Sequence, residues 1–481
     1  MYNTFFCESI KLTKVITIIL YDCITFLHTW IWSLPLLLFL VGVGVYLTIA
    51  LKGLQIRYLW IALRSVFIPP KNSSVNSKGD ISHFQSLMTS LASIIGIGNI
   101  AGVATAVMAG GLGSLFWMWV MALFGMATTY AESLLAVKYR SSDSKGEMSG
   151  GPMYYMKKGL GAKKLAIFYA IGGVLASIVT GNMAQSNSMA DACSDLFNIG
   201  PWSSGIILSI LIGIMIIGGI KSIGKVAGLL VPVMASFYIV GGGAIIVLNI
   251  DKLPGALSMI VSSAFTGQAA VGGFIGSSMM MAMRMGITRG LFSGESGLGS
   301  TSIAAAAAKT DHPGRQALLS MTGVFLSTLV LCTITGLILA ITGVVGQLDA
   351  SGKVINGLPL AVRAFNTVFP FGGTIVNIGA LLFGYSTILS WSYSGEKCWE
   401  FIFGTSYVMV FRLLYTFFTM LGCGLDIAIV WTIADIANGI MAVPNLIAIL
   451  ALTPIILSET KAFIAILSKE KAERSKKKTT K

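Results

Sequence analysis

The 481-residue chain is 55% hydrophobic and only 11% charged, with a formal net charge of +14 from 33 Lys and Arg against 19 Asp and Glu. Soluble domains carry about 25% charged residues, so this charge is too sparse for a soluble surface, and the mean hydropathy of +0.82 agrees. The composition excludes a soluble enzyme, a disordered chain and a disulfide-rich secreted module, and it predicts an all-α polytopic membrane protein.

Apolar stretches long enough to cross a bilayer recur along the whole chain. About 20 apolar residues form such a helix, and we count eleven stretches if the last one is a single crossing with an appendage. Pro444 interrupts that last stretch, so twelve crossings stay open. The predicted spans are 29–51, 84–107, 114–137, 165–190, 203–220, 226–249, 255–283, 317–345, 371–393, 406–423 and 427–466.

Basic residues predict the direction of the spans, because Lys and Arg are retained on the cytoplasmic side. Alternate loops and the tail hold 27 of them, whereas the intervening loops and the N-terminal segment hold five. This alternation places the N-terminus outside and the tail inside. It also favours eleven crossings, because a twelfth would export the basic tail.

Further predictions concern the two ends of the chain and the cysteines. The apolar stretch Val15–Leu27 follows two lysines, lacks a small-residue cleavage site and leads directly into a span, so we predict an interfacial helix there. The last residues, EKAERSKKKTTK, are predicted to be disordered. The six scattered cysteines predict neither a disulfide nor a metal site. The expected segments are 1–28 (extracytoplasmic or interfacial), 29–466 (membrane domain) and 467–481 (basic cytoplasmic tail).

Two of the predicted spans are interrupted by glycines. Residues Gly96–Gly102 read GIGNIAG, and residues Thr266–Gly276 read TGQAAVGGFIG. With 29–51 as an extra leading helix, each interruption falls in the first span of a five-helix set, 84–249 and 255–466. Transporters with inverted repeats interrupt helices in corresponding positions near the midplane and bind their substrates there. Asn99 strengthens this interpretation for the first interruption, because a polar side chain at that depth is costly.

Carboxylates near the spans leave several interpretations open. Glu132 and Glu295 lie near predicted cytoplasmic ends, with Lys and Arg close by in the sequence, so we expect structural ion pairs. Asp435 lies inside the last apolar stretch, where it is either a cation or gate residue or part of a capped helix end at the Pro444 break. Neither interrupted span carries a carboxylate, so a sodium site built from carbonyl and hydroxyl oxygens is favoured over proton coupling.

Hydroxyl and amide side chains supply candidate ligands. Ser386 and Thr387 are adjacent, and Thr387 shares a helix face with Trp391, four residues on. Gln185 and Asn187 form a second polar pair inside a span, and each either lines the site or bridges helices. The three histidines offer no Ser-His-Asp order or metal-ligand spacing, so the sequence does not predict an enzyme.

Four stretches together resemble the alanine/glycine:cation symporters, also called sodium:alanine symporters. They are GIGNIAGVATAVMAGG with FWMW and MATTYAESLLAVKYR; GGPMYYMKKGLG; RGLFSGESGLGS through AAAKTDHPGRQ; and STILSWSYSGEK with VWTIADIANGIMAVPNLIA. The resemblance covers most of the chain from about residue 30 to 466. It implies a leucine-transporter-like inverted 5+5 repeat and Na⁺-coupled uptake of alanine or glycine across the inner membrane of a bacterium, with Na⁺ as coupling ion and no other cofactor.

The resemblance also implies site residues. Gly96, Gly98 and Asn99 would cradle the substrate, with the Gly98 N–H meeting its carboxylate. Backbone oxygens of Ala92 and Ile95, with Ser386 and Thr387, would hold sodium. The implied pocket residues are Gln185, Phe274, Thr387 and Trp391.

This sequence departs from the family pattern in ways that bear on substrate choice and gating. The changed positions are Ile97, Leu112, Gly294, Ser296, Thr301, Ser302 and Ala305. The alternatives to a symporter are an amino-acid facilitator or channel without sodium coupling, and a sensor or scaffold that does not transport. The sequence does not distinguish alanine from glycine or serine, and it gives no oligomeric state.

Overall fold

The computed structural model describes residues 22–67, 79–144, 146–266 and 277–479, and nearly all of them lie in helices. The leading elements are helix α1 (22–31), α2 (Leu34–Ala50), α3 (Leu54–Arg57) and α4 (Leu59–Phe67). Helix α2 begins with a proline in its first turn, where the missing N–H costs nothing. It ends before Lys52 and Gly53, which both adopt positive φ and turn the chain into α3.

The first predicted five-helix set begins with an interrupted helix. Ser82 and Gln85 form a capping box at the start of α5 (His83–Ile94), a 3₁₀ turn covers Ile97–Asn99, and α6 (Ala101–Gly110) completes the crossing. Helix α7 (Gly113–Lys138) follows. A small antiparallel hairpin then pairs β1 (Ser141–Ser142) with β2 (Met148–Ser149).

The rest of this set consists of longer helices. They are α8 (Pro152–Gly159), α9 (Lys163–Ile178), α10 (Ala184–Phe197), α11 (Pro201–Ile217) and α12 (Gly219–Leu248). A π-helical turn, Val179–Met183, joins α9 to α10 without ending the crossing. Such turns inside helices frequently mark functional sites.

The second predicted set, with the end of the chain, accounts for the remaining elements. Its elements are a 3₁₀ turn (Ile250–Lys252), α13 (Leu253–Thr266), α14 (Met279–Gly294), α15 (Ser300–Ala306), α16 (Pro313–Val324), a π-helical segment (Phe325–Cys332), α17 (Thr333–Thr342), α18 (Gly357–Val368), α19 (Gly372–Phe403), a 3₁₀ turn (Thr405–Tyr407), α20 (Val408–Gly424), α21 (Ile427–Ala451) and α22 (Thr453–Thr479). The predicted interruption at Thr266–Gly276 lies almost wholly outside the described residues, but α13 and α14 flank it. Helix α14 extends to Gly294, beyond the predicted end of this span at 283.

The helix inventory confirms a polytopic all-α membrane protein. Within the described ranges, eight helices are long and apolar enough to cross a bilayer. The other three predicted spans coincide with the interrupted helix α5–α6, with α11, and with the pair α13 and α14. Helix α7 packs against α14 and α16, and α19 packs against α5, α9, α10 and α12. This packing surrounds the interruption between α5 and α6 with other helices.

Pro444 does not interrupt the last apolar stretch, which leaves the favoured alternative of one crossing with an appendage. Helix α21 continues through Pro444 to Ala451. A proline removes one backbone hydrogen bond, and neighbouring helices make that tolerable inside a membrane bundle. The break comes at Leu452, just before Thr453 and Pro454 open α22, so the last stretch is one crossing helix followed by a second helix.

The tail is helical rather than disordered. Helix α22 runs from Thr453 to Thr479, so the predicted boundary at 466/467 falls inside it. Lys, Glu, Arg and Ala are good helix formers. Glu459 and Glu470 also tie this helix to Lys138 and Arg315 through ion pairs of 2.5 and 2.6 Å.

A candidate substrate and cation site at the interrupted helix

The interruption between α5 and α6 exposes backbone groups inside the bundle. Helix α5 ends at Ile94, Gly96 is extended, and the backbone does not return to α-helical geometry until Ala101. Residues Ile94–Ala101 are buried. Irregular backbone is tolerated at membrane depth only where protein or a cavity satisfies its polar groups, which identifies this segment as the candidate site.

Carbonyl oxygens freed by the interruption meet a hydroxyl from helix α19. Thr387 Oγ1 lies 2.8 Å from the Ala92 carbonyl oxygen and 3.2 Å from that of Ile95. Thr387 is buried. Three neutral oxygens from two helices thus converge at one point, and hard cations such as Na⁺ prefer oxygen ligands of this kind.

The neighbouring hydroxyls of α19 point to different partners. Ser386 Oγ donates to the Phe383 carbonyl at 3.0 Å and lies 3.4 Å from the Met234 sulfur, so its bonds do not go to Ala92 or Ile95. Ser390 Oγ, which the sequence reasoning missed, donates to the Thr89 carbonyl at 2.7 Å. Its spacing of three residues from Thr387 was a usable signal, because residues i and i+3 share a helix face.

Gln185 holds the interrupted backbone from the opposite side. The Ile97 N–H donates to Gln185 Oε1 at 2.9 Å, and Gln185 Nε2 donates to the Thr180 carbonyl at 3.1 Å. A Cβ at Gly96 would lie 2.6 Å from Thr387 Oγ1 and 2.9 Å from Gln185 Oε1. Glycine is therefore required at position 96 for both side chains to approach the backbone.

Gln185 and Asn187 were each predicted either to line the site or to bridge helices, and the structure places them differently. Gln185 lines the site, as just described. Asn187 bridges helices instead, because its Nδ2 donates to the carbonyls of Gly422 and Leu425 at 2.9 and 2.8 Å.

Aromatic side chains pack against two glycines, one in the π-helical turn and one in the interrupted segment. A Cβ at Gly181, in the π-helical turn, would lie 2.3 Å from the Trp391 side chain. A Cβ at Gly98 would lie 2.8 Å from the Phe292 ring, which packs against Trp431 at 4.5 Å between centroids. Phe274 lies outside the described residues. Phe292 was missed by sequence reasoning, although it stands within the FSGESG stretch quoted for the resemblance.

Asn99 connects the interruption to the middle of the α16–α17 crossing. Its side-chain amide exchanges hydrogen bonds of 3.1 and 3.2 Å with Ser327 Oγ, and its carbonyl accepts from Thr335 Oγ1 at 2.8 Å. Ser327 lies in the π-helical segment Phe325–Cys332. Asn99 is therefore placed to position the backbone as well as to line the site.

Glu132 and Glu295 do not form the ion pairs predicted for them. Glu132 Oε1 accepts from the Gly297 N–H at 2.9 Å and from Asn445 Nδ2 at 2.7 Å. Glu295 accepts from Trp391 Nε1 at 2.6 Å and from Ser300 Oγ at 2.5 Å. The sequence-adjacent Lys and Arg side chains turn elsewhere, so in the described ranges neutral groups donate to both carboxylates, and Glu132 Oε2 is buried without a hydrogen-bond partner there.

Asp435 forms a buried ion pair rather than a helix end. Arg289 Nη1 and Nη2 contact its two oxygens at 3.0 and 2.9 Å, and both side chains are buried. The Arg289 guanidinium also lies 4.4 Å from the Trp431 ring centroid. His28 Nε2 approaches Asp435 at 3.3 Å. Arg289, predicted to lie in a cytoplasmic segment, is therefore inside the bundle beside the aromatic pair that covers Gly98.

Comparisons with known proteins agree with this architecture. A family model described as the sodium:alanine symporter family matches residues 17–478. The sodium/alanine symporter AgcS of Methanococcus maripaludis is 48% identical over 447 residues, covering 92% of this chain and 97% of that protein. An uncharacterized transporter of Haemophilus influenzae is 47% identical over 438 residues, covering 91% and 94%.

A solved structure shares the fold at low identity. The crystal structure of MhsT in complex with L-phenylalanine matches with a TM-score of 0.58 at 14% identity, covering 80% of this chain and 93% of that one. The predicted leucine-transporter-like fold class is thereby confirmed.

Proposed function

Because the chain belongs to the sodium:alanine symporter family and is a multi-pass membrane transporter with Na⁺ as its coupling ion, we propose that it imports alanine or glycine. Na⁺ and the amino acid would both bind at the interruption between α5 and α6. The observation that carries the proposal is the convergence of Thr387 Oγ1 on the carbonyls of Ala92 and Ile95.

We assign the sodium ligands from these oxygens. Ala92 and Ile95 contribute carbonyls of the interrupted helix, and Thr387 contributes a hydroxyl from α19. Ser386 would join them only after its hydroxyl turns away from the Phe383 carbonyl. Because the ligands come from two separate helices, a bound cation would hold α5 against α19.

The amino acid would lie beside the same interruption. The N-terminal end of α6 and the N–H groups around Gly98 suit a carboxylate, since they carry the positive end of the helix dipole. Gln185, Asn99 and Thr387 offer polar contacts, while Phe292 restricts the room beside Gly98 and Trp391 packs against Gly181. The Phe292 ring beside Gly98 leaves room for only a small side chain such as that of alanine.

Coupling follows if both ligands stabilise the same closed arrangement. Na⁺ joins α5 to α19, and the amino acid would contact the backbone between α5 and α6, so each ligand favours the conformation that the other needs. A ligand shifts a conformational equilibrium only through such a difference in affinity. Rocking of one repeat against the other would then expose the site to the second side of the membrane.

We propose that the chain lies in the cytoplasmic membrane of a bacterium with its N-terminus outside and its C-terminus inside. The basic loops support this direction. The ion pairs Lys138–Glu459 and Arg315–Glu470 also support it, since they bring the basic tail to the same end of the bundle as two basic loops. The repeats 84–249 and 255–466, with the extra helix 29–51, remain our division of the chain.

Uptake of radiolabelled alanine into proteoliposomes tests the proposal. An inward Na⁺ gradient should drive accumulation above equilibrium, and replacing Na⁺ with K⁺ should abolish it. Uptake that only equilibrates with either cation would identify a facilitator and contradict the proposal. If alanine is not carried, glycine and serine in the same assay determine whether the substrate or the coupling is wrongly assigned.

A further inference from the structure

A cleft of about 440 Å³ opens between two helices that lie outside the transport site. Helix α4 lines one side with Trp60, Ile61 and Arg64, and helix α22 lines the other with Leu467 and Lys471. Helix α4 follows the crossing helix α2 after only the short helix α3, so we expect it to lie at the surface of the bilayer. The cleft is therefore positioned where lipid headgroups meet the protein.

The walls of the cleft are apolar and the rim is basic. Trp60 is 75% exposed and Ile61 is 40% exposed, which is a large apolar surface for so short a helix. Tryptophan is favoured at the membrane interface because it is apolar with one polar N–H. These apolar side chains would contact the part of an acyl chain nearest the headgroup more favourably than they contact water.

The charges at the rim are predominantly positive. Arg64, Arg315 and Lys471 line the cleft, against the single carboxylate of Glu470. Arg315 already pairs with Asp311 and Glu470, whereas the ion pairs found in the described ranges involve neither Arg64 nor Lys471. Arg64 and Lys471 are thus exposed at the cleft without an ion-pair partner among the described residues, which makes the rim complementary to an anionic headgroup.

We propose that this cleft binds one anionic phospholipid, with its phosphate between Arg64 and Lys471 and an acyl chain along Trp60, Ile61 and Leu467. The assignment to the cytoplasmic leaflet rests on the orientation proposed above, but the binding site itself does not. A narrower continuation of the cleft reaches His83 and Phe463, so the lipid lies beside the contacts that join α5 and α16 to α22.

Lipid binding to the purified full-length protein in detergent tests this directly. Native mass spectrometry would count phosphatidylglycerol and phosphatidylcholine bound during matched titrations. The double variant Arg64→Gln/Lys471→Gln should bind phosphatidylglycerol about tenfold more weakly, since each Lys or Arg near a headgroup contributes several-fold in affinity. The matched control is Arg57→Gln/Lys469→Gln, which removes the same charge from α22 and from α3, the helix that directly precedes α4, at positions that do not line the cleft.

Two further measurements separate a lipid from a soluble anion. Trp60→Ala should weaken phosphatidylglycerol binding while leaving the binding of glycerol phosphate unchanged. Displacement of the lipid by millimolar glycerol phosphate would instead indicate a free-anion site and overturn the proposal. Equal binding of phosphatidylcholine by the unmodified protein, or equal losses in the two double variants, would also overturn it.

The assay is independent of transport. Alanine uptake by the same preparations would be measured separately, so failure of the proposed symport leaves the lipid result interpretable. If a variant does not elute as a folded species by size exclusion, the comparison of the two lipids on the unmodified protein still decides the question.

Discussion

The indole Nε1 of Trp391 donates a 2.6 Å hydrogen bond to Oε1 of Glu295. Trp391 lies on α19 one helical turn after Thr387 and packs against Gly181, and Glu295 begins the turn that follows α14, with a positive φ of 51°. The same carboxylate accepts from Ser300 at the start of α15. One buried side chain therefore connects the wall of the site to the turn between α14 and α15.

Glu295→Ala should raise the KM for alanine by about tenfold. Loss of the carboxylate leaves the buried indole N–H unpaired, which costs about 1–3 kcal/mol, and Trp391 loses the partner that fixes its ring. Glu295→Gln keeps an acceptor oxygen and should have a smaller effect. Initial uptake rates over a range of alanine concentrations measure both variants, and an unchanged KM for Glu295→Ala would contradict the positioning role.

Thr387→Val should raise the Na⁺ concentration needed for half-maximal uptake by about tenfold or more. The substitution keeps the shape but removes the oxygen that meets the carbonyls of Ala92 and Ile95, and one lost cation ligand outweighs the small volume change. Thr387→Ser should retain most of the affinity. Sodium titrations of alanine uptake provide the measurement.

Ser386→Ala is the matched control for that experiment. Its hydroxyl bonds to the Phe383 carbonyl of its own helix, so its removal should change the sodium dependence little. A larger effect at Ser386 than at Thr387 would mean that the cation is held by different oxygens from those we assign.

Gly96→Ala should abolish uptake, whereas Gly102→Ala should be tolerated. A Cβ at Gly96 would meet Thr387 Oγ1 at 2.6 Å and Gln185 Oε1 at 2.9 Å, so one of these side chains must move. At Gly102 the nearest atom, on Trp431, would be 3.6 Å away, an ordinary van der Waals contact. Uptake rates normalised to folded protein compare the two variants, and equal activity would show that Gly96 needs no close approach.

Local features of the fold could be predicted from the sequence, whereas contacts between residues distant in the chain could not. The interruption at Gly96–Asn99 was predictable because glycines and a buried asparagine act locally. The Arg289–Asp435 pair was not, because its members are 146 residues apart and no local pattern connects them. Glu132 and Glu295 have basic neighbours in the sequence, but the fold gives them neutral donors instead. Pro444 illustrates the same limit, since packing tolerates a residue that would break an isolated helix.

Acid should destabilise the junction between α16 and α22 through His312. This imidazole accepts from the Gly314 N–H at 3.1 Å and stacks on Phe463, with Asp311, Arg315, Lys138 and Glu459 nearby. Burial lowers the pKa of His312 below its ordinary value of 6.5, and the nearby carboxylates only partly oppose this. The unfolded chain therefore takes up the proton first, so stability is present above about pH 6.5 and is lost as the pH falls below it.

His312→Asn tests this dependence, because asparagine is a good N-cap that does not titrate in this range. The variant should lose less thermal stability than the unmodified protein between pH 7.5 and 5.5. Thermal unfolding in detergent at several pH values provides the measurement. Parallel pH profiles of the two proteins would exclude His312 as the titrating group.

Asp435→Asn should destabilise the protein strongly. The substitution leaves the Arg289 guanidinium buried without its anion, and breaking one side of a buried ion pair costs about 3–5 kcal/mol. Removing both charges in Arg289→Met/Asp435→Leu should be less damaging than the single change, because no unpaired charge then remains. Lys138→Gln is the comparison at a half-exposed pair, where the loss should not exceed about 1 kcal/mol. Denaturant unfolding in detergent ranks the three variants. If the double variant is no more stable than Asp435→Asn, the cost lies in lost packing against Trp431 rather than in the uncompensated charge.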